Sequence, residues 1–155
     1  MFNKILIANR GEIACRIIRT AHKLGVSTVS VFSDADRFSK HVNIYFSKFK
    51  VKLSNEACHI GGPTPLESYL RQEAVLEAAL KTGAEGIHPG YGFLSENPGF
   101  VALCEKAKIK FIGPPANAMI QMASKSRSKD IMLAANVPCT PGYHGDNQDP
   151  AFLLE

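Results

Sequence analysis

Residues 87–97 read Ile-His-Pro-Gly-Tyr-Gly-Phe-Leu-Ser-Glu-Asn, and this run marks the place where a strand gives way to a helix. An apolar segment ends just before it, and an apolar-periodic segment typical of a helix follows at residues 100–107. Two glycines flank Tyr91, so the backbone can turn tightly or approach a ligand closely. Ligands of open parallel sheets bind beyond the carboxyl ends of the strands, so we expect a binding loop here, with a plain turn as the alternative.

The first residues of the chain have the same order of strand, turn and helix. Residues 4–8 form a compact apolar run that suits a strand buried in a parallel sheet, and apolar residues then recur at helical spacing from Ile13 to Leu24. The turn between them contains a single glycine, Gly11, whereas a dinucleotide-binding fingerprint needs three. We therefore do not expect NAD or FAD binding.

Further strands and helices alternate along the chain, which predicts an α/β fold with a doubly wound parallel sheet. Residues 27–33 and 110–112 are predicted strands, and residues 100–108 a helix. Another helix, starting at Glu67, is expected to direct five side chains to the core: Leu70, Ala74, Leu76, Ala78 and Leu80. From residue 117 the pattern becomes a long helical stretch with a polar, basic interruption. We therefore place two domains at residues 1–116 and 117–155.

Composition limits the function. The 45% hydrophobic and 21% charged residues are typical of a globular protein, and a net charge of +4 lacks the basic stripe of a nucleic-acid binder. No apolar run has the length of a membrane span, and no targeting segment is visible. The four cysteines are far apart, which predicts buried small residues in a reducing compartment. Asp34 and Asp36 are interpreted as residues of a capped, solvated loop.

Two long strings resemble the biotin carboxylase family: residues 88–97, quoted above, and residues 5–16, Ile-Leu-Ile-Ala-Asn-Arg-Gly-Glu-Ile-Ala-Cys-Arg. The resemblance implies a Rossmann-like pre-ATP-grasp domain over residues 1–116. Residues 137–142, Val-Pro-Cys-Thr-Pro-Gly, resemble the entry to an ATP-grasp domain, so 117–155 would be a linker helix and its beginning. The implied ligase uses ATP, Mg²⁺ and bicarbonate to carboxylate biotin on a carrier domain.

The resemblance also assigns individual residues. Lys125 matches the lysine that reaches bound ATP, Tyr91 and Gly92 match positions on the biotin side of the pocket, and Arg16 and Arg19 match positions near a homodimer contact. Glu96 is interpreted as a capping or supporting residue. The glycine-rich lid, the metal-binding glutamates and the groups that act on bicarbonate follow these positions in the family. We therefore expect no catalytic or metal-binding residue among residues 1–155, and an inactive isolated chain.

Within the family, three runs look most like the α subunits of methylcrotonoyl-CoA carboxylases, which act in leucine catabolism: residues 112–116, 125–132 and 141–145. The corresponding parts of propionyl-CoA and acetyl-CoA carboxylases are alternatives. Implied partners are the remainder of the subunit, a biotin carboxyl carrier domain and a carboxyltransferase subunit. The compartment would be the mitochondrial matrix for the first two groups and the cytoplasm otherwise. A non-catalytic module that binds full-length subunits is the other hypothesis.

Residues 45–53, Tyr-Phe-Ser-Lys-Phe-Lys-Val-Lys-Leu, depart from the family pattern as an apparent insertion. Its last five residues alternate apolar and lysine side chains, which predicts an edge strand with the lysines outward. A basic contact for phosphate or membrane is the alternative.

Overall fold

The computed structural model describes residues 1–42 and 53–154. They form two compact units, Met1–Ala116 and Asn117–Glu155. The predicted edge strand at residues 49–53 lies, except for Leu53, outside the described residues. Leu53 itself packs against the core beneath the first helix.

The first unit is a parallel five-stranded sheet with strand order β3-β2-β1-β4-β5. Its elements are β1 (Lys4–Ile7), α1 (Gly11–Lys23), β2 (Ser27–Ser33), β3 (Glu56–Gly61), α2 (Gln72–Thr82), β4 (Gly86–His88), α3 (Pro98–Lys106) and β5 (Lys110–Phe111). Right-handed crossovers place α1 on one face and α2 and α3 on the other. The predicted doubly wound α/β fold is therefore confirmed.

The core forms where α1 packs on β1. Ile13, Ala14, Ile17 and Ile18 recur at helical spacing and pack with Ile7 of β1. Leu24 has the right spacing but is exposed, because it is the C-cap residue and lies past the last helical turn.

The predicted helix start at Glu67 is wrong. Thr64 and Glu67 form a reciprocal capping box that closes a single 3₁₀ turn, Pro65–Glu67, and Ser68 then leaves the helical region at φ −141° and ψ −91°. Because α2 begins only at Gln72, its buried residues are Val75, Ala78 and Ala79. Leu80, predicted in the core, is 54% exposed.

The second unit contains α4 (Ala116–Ala123), which begins at the last residue of the first unit, α5 (Lys125–Ala134) and the short α6 (Pro150–Leu153). The polar interruption predicted in the long helix is the place where α4 ends and α5 begins. Ser124 caps α5, and its hydroxyl accepts a hydrogen bond from the Arg127 N–H.

Two of the cysteines correct the sequence-based prediction. Cys15 and Cys104 are buried as expected, whereas Cys58 and Cys139 are only half-buried. Cys58 lies on the edge strand β3 and Cys139 in a loop of the second unit, and neither position is fully covered by packed elements. In the described part of the chain, no helix combines the length and apolar character that a membrane span requires.

Candidate functional site

The strand order reverses between β1 and β4, and Asn9 joins their carboxyl ends. Asn9 follows β1 and is only 3% exposed. Its side-chain amide donates to the Pro89 carbonyl at 2.7 Å and to the Tyr91 carbonyl at 2.8 Å, while its Oδ1 accepts from the Arg10 N–H at 2.9 Å. This is the position in a doubly wound sheet where a ligand crevice opens. Asn9 therefore fixes one side of that crevice.

Gly90 is required by this arrangement. Its φ is 69°, and a Cβ at this position would lie 2.7 Å from Asn9 Nδ2. Its N–H donates to Nδ1 of His88 at 3.1 Å, so the neutral imidazole also supports the loop. Burial, with a smaller effect of the Arg16 charge, lowers the pKa of His88. The loop at the end of β4 is thus held by hydrogen bonds to the Asn9 amide and to the His88 imidazole.

Tyr91 and Gly92 form the open part of the loop. Tyr91 is 63% exposed, and a Cβ on Gly92, at φ 68°, would meet no atom within 4 Å. A flat ligand could lie against the ring and approach the Gly92 backbone. The loop then enters α3 through Asn97, whose Oδ1 accepts from the Phe100 N–H at 2.9 Å. The expected strand, loop and capped helix are all present, although Asn97 is the capping residue and Glu96 is exposed.

A second polar group lies at the ends of β1 and β2. Asp36 Oδ2 accepts hydrogen bonds from the Tyr69 hydroxyl at 2.8 Å and from the Ser33 hydroxyl at 3.0 Å. Arg10 Nη1 lies 3.6 Å from the same oxygen. Asp36 is therefore buried and fully engaged, and the predicted solvated loop is wrong at this residue. Desolvation acts to raise the pKa of Asp36, but these hydrogen bonds outweigh it and the pKa is lowered.

Asp36 connects to the loop after β4 through aromatic packing. The Tyr69 ring stacks on Phe93 with centroids 4.9 Å apart, and the Arg10 guanidinium lies 5.8 Å and 5.9 Å from the two ring centroids. Sequence reasoning missed Asn9, Arg10, Asp36 and Tyr69. Their position just after predicted strands was the available signal for the first three.

His41 is fully buried beside this group. Its Nδ1 accepts from the Gly11 N–H at 3.3 Å, and its Nε2 finds no partner among residues 1–42 and 53–154. Burial lowers the pKa of His41, against the opposing effect of the nearby Asp36 charge. The ring is thus held neutral at the amino terminus of α1.

Lys125 belongs to the second unit. It is exposed at the first residue of α5, directly after the capping Ser124, and borders an open cavity of about 500 Å³ together with Lys129 and His144. Lys129 Nζ donates to the Thr140 carbonyl at 3.3 Å, so its charge is partly used within the unit. Lys125 extends into solvent.

Arg16 and Arg19 are exposed on the face of α1 opposite its core side. Spaced three residues apart, they lie on the same side of the helix. No three His, Cys, Asp or Glu side chains of the described residues lie where they could hold a metal ion.

The sequence of the chain matches a known family. The model of the biotin carboxylase N-terminal domain matches residues 1–119. The chain belongs to this biotin carboxylase family. Among curated relatives, the mitochondrial methylcrotonoyl-CoA carboxylase subunit alpha of Arabidopsis thaliana is 57% identical over 94% of this chain. The mitochondrial propionyl-CoA carboxylase alpha chain of Caenorhabditis elegans is 50% identical over 99% of it.

A solved biotin carboxylase domain has the same fold. The domain dimer of Hydrogenobacter thermophilus 2-oxoglutarate carboxylase, in complex with MgADP, ADP and bicarbonate, superposes with a TM-score of 0.82 at 46% identity over 96% of this chain. The 155 residues span only 31% of that domain and 19% of the Arabidopsis subunit.

Proposed function

We propose that this chain forms the amino-terminal domain of a biotin carboxylase subunit, residues 1–116, followed by a linker helix and the beginning of the ATP-grasp domain, residues 117–155. The subunit would use ATP, Mg²⁺ and bicarbonate to carboxylate biotin on a carrier domain. One observation carries the proposal. The loop after β4 is fixed by Asn9 at the crevice of the sheet, and it leaves the Tyr91 ring and the Gly92 backbone open to a flat ligand.

The residues present have distinct roles in this proposal. Tyr91 and Gly92 form one wall for the ureido ring of biotin, with the aromatic face against the ring and the glycine allowing close approach. Lys125 supplies a compact positive charge for the phosphates of ATP. The Mg²⁺ ligands and the groups that act on bicarbonate come from the remainder of the subunit. The bound MgADP and bicarbonate of the Hydrogenobacter domain support this choice of substrates.

The most favoured parent enzyme is a methylcrotonoyl-CoA carboxylase of the mitochondrial matrix. The 57% identity to the Arabidopsis subunit supports it, and the 50% identity to a propionyl-CoA carboxylase chain keeps that group as the alternative. The biotin carboxyl carrier domain and a carboxyltransferase subunit are the proposed partners.

Arg16 and Arg19 are proposed to contact a second subunit. Both side chains are exposed on one face of α1, and the Hydrogenobacter biotin carboxylase domain is a dimer. The charge-reversed double variant Arg16→Glu, Arg19→Glu in a complete subunit should then shift the equilibrium towards monomers in light scattering.

A fused enzyme tests the role of Lys125. Residues 1–155 would replace the matching part of the Hydrogenobacter biotin carboxylase domain, and ATP cleavage would be measured with bicarbonate and free biotin. Lys125→Ala should raise the KM for ATP at least about tenfold, since a charge-assisted contact contributes roughly 1.5–3 kcal/mol. Lys106→Ala, which removes an exposed lysine of α3, is the matched control. An unchanged KM in Lys125→Ala would contradict the proposed ATP contact.

A further inference from the structure

Phe93 has a backbone conformation that its side chain does not favour. Its φ is 42°, in the left-handed region that bulky residues seldom occupy. Gly90 and Gly92, which precede Phe93 in the same loop, also have positive φ, but glycine adopts this region without steric cost. A strained residue of this kind persists only where its surroundings hold it. Phe93 stands two residues after Tyr91, so whatever holds it also fixes the open part of the loop.

The Phe93 side chain is held by Tyr69 and Arg10. The near-parallel Tyr69 ring, at an interplanar angle of 15°, covers one face at 4.9 Å, and the Arg10 guanidinium lies 5.9 Å from the Phe93 centroid. Tyr69 is itself only 2% exposed, and its hydroxyl donates to Asp36. The Tyr69 ring that supports Phe93 is therefore held by burial and by the hydrogen bond of its hydroxyl.

Asp36 completes the arrangement. Its carboxylate accepts from Ser33, Ser39 and Tyr69 and faces the Arg10 guanidinium at 3.6 Å. Arg10 follows β1, Asp36 follows β2, Tyr69 follows β3 and Phe93 follows β4. The group joins the carboxyl ends of four neighbouring strands and contacts the loop at Phe93.

We propose that Arg10, Asp36 and Tyr69 form a positioning group that holds Phe93 in its left-handed conformation and thereby sets the place of Tyr91 and Gly92. The identity of the ligand rests on the proposed function, because Tyr91 and Gly92 would form the wall that receives the ureido ring of biotin. Tyr69 and Arg10 contact Phe93, and Asp36 contacts Tyr69 and Arg10, so the group acts on the loop through Phe93.

Hydrogen exchange of the 155-residue chain tests the loop directly. The Ser95 N–H donates to the Gly92 carbonyl at 2.9 Å, spanning Phe93, so its exchange reports opening of this turn. Phe93→Leu keeps apolar bulk but removes the stacked ring, and should accelerate Ser95 exchange at least tenfold. Tyr69→Phe removes only the hydroxyl and should accelerate it by a smaller factor.

Two controls separate positioning from general destabilisation. Amides of Leu6 in β1 and Val29 in β2 should keep their exchange rates in both variants. Tyr143→Leu disrupts a comparable aromatic pair with Phe152, at 5.0 Å in the second unit, and should leave Ser95 unchanged. Unchanged Ser95 exchange in Phe93→Leu, or equal acceleration at Leu6 and Val29, would overturn the proposal.

The fused enzyme then tests the ligand. Asp36→Asn should raise the KM for free biotin at least fivefold and leave the KM for ATP unchanged, a split that a general loss of folded enzyme would not produce. If the unmodified fusion carboxylates biotin and Asp36→Asn leaves both KM values unchanged, the positioning role fails while the proposed function stands. If the unmodified fusion is inactive, the proposed function fails, and the exchange experiment still decides whether the group holds the loop.

Discussion

At the scale of single residues, the loop after β4 depends on Gly90. An added Cβ would meet Asn9 Nδ2 at 2.7 Å, in a backbone conformation that already costs an L-residue about 1–2 kcal/mol. Gly90→Ala should therefore lower the free energy of unfolding by about 3 kcal/mol, since it also weakens the Asn9 hydrogen bonds. Urea denaturation measures the change. Gly92→Ala has a matching φ of 68° but open space around the Cβ, so it should cost only about 1–2 kcal/mol; equal costs would contradict the claimed contact.

Two histidines with lowered pKa values should make stability depend on pH. His41 is buried and His88 half-buried, and burial lowers the folded-state pKa of both, so below about pH 6.5 the unfolded chain takes up protons that the folded chain does not. Stability should be complete above about pH 6.5 and decrease progressively as the pH falls below that value. Protonation would also remove the Nδ1 acceptors of Gly11 and Gly90.

Asparagine variants check the assignment of this pH effect. His41→Asn with His88→Asn retains an oxygen acceptor near each Nδ1 position but cannot titrate, so urea unfolding of the double variant should give a flatter pH profile. The charged neighbours are Asp36 and Arg10 for His41 and Arg16 for His88, and all three remain in the variant. An equally steep profile would show that other groups cause the effect.

The residues of the site were only partly predictable from the sequence. The loop itself was predicted because the turn chemistry between a strand and a helix is local, whereas Tyr91 and Gly92 were assigned as site residues by the family resemblance. Asn9 and Asp36 were not predicted, because their partners are 80 and 33 residues away along the chain and become neighbours only through the strand order. A local pattern contains no information on that order.

At the scale of elements, α3 begins where the loop ends, and its cap ties the two together. Asn97 Oδ1 accepts from the Phe100 N–H at 2.9 Å, and Pro98 occupies the first turn. Asn97→Ala should lower the free energy of unfolding by about 1 kcal/mol, whereas Asn97→Asp keeps the acceptor and should cost less. Chemical denaturation of the two variants checks this, and an equal loss in both would argue against the cap.

Two strands and one helix illustrate why some element boundaries were predicted and others were not. The strands at residues 4–8 and 27–33 were found because the first is a compact apolar run and the second is rich in β-branched residues. The start of α2 was misplaced because a local capping box stabilises a separate turn before it. In the observed helix Val75 is buried, whereas Leu80, predicted in the core, is exposed.

At the scale of the whole molecule, the ends of four strands are linked by side chains. Asn9 binds the loop after β4 by hydrogen bonds, and Arg10, Asp36 and Tyr69 act on it through Phe93. The sheet thus supplies a frame for a loop that exposes Tyr91 and Gly92. The family match over residues 1–119 covers this entire frame.

The central claim is that residues 1–155 are the amino-terminal part of a biotin carboxylase subunit. Restoring the activity of a truncated enzyme tests this claim most directly. The biotin carboxylase domain of Hydrogenobacter thermophilus 2-oxoglutarate carboxylase would be produced without the part that this chain matches, and residues 1–155 would be fused in its place. Carboxylation of free biotin with MgATP and bicarbonate is the measurement. We predict activity in the fusion and none in either part alone, including the isolated 155-residue chain. A folded fusion that carboxylates no biotin, or an isolated chain that cleaves ATP, would contradict this account.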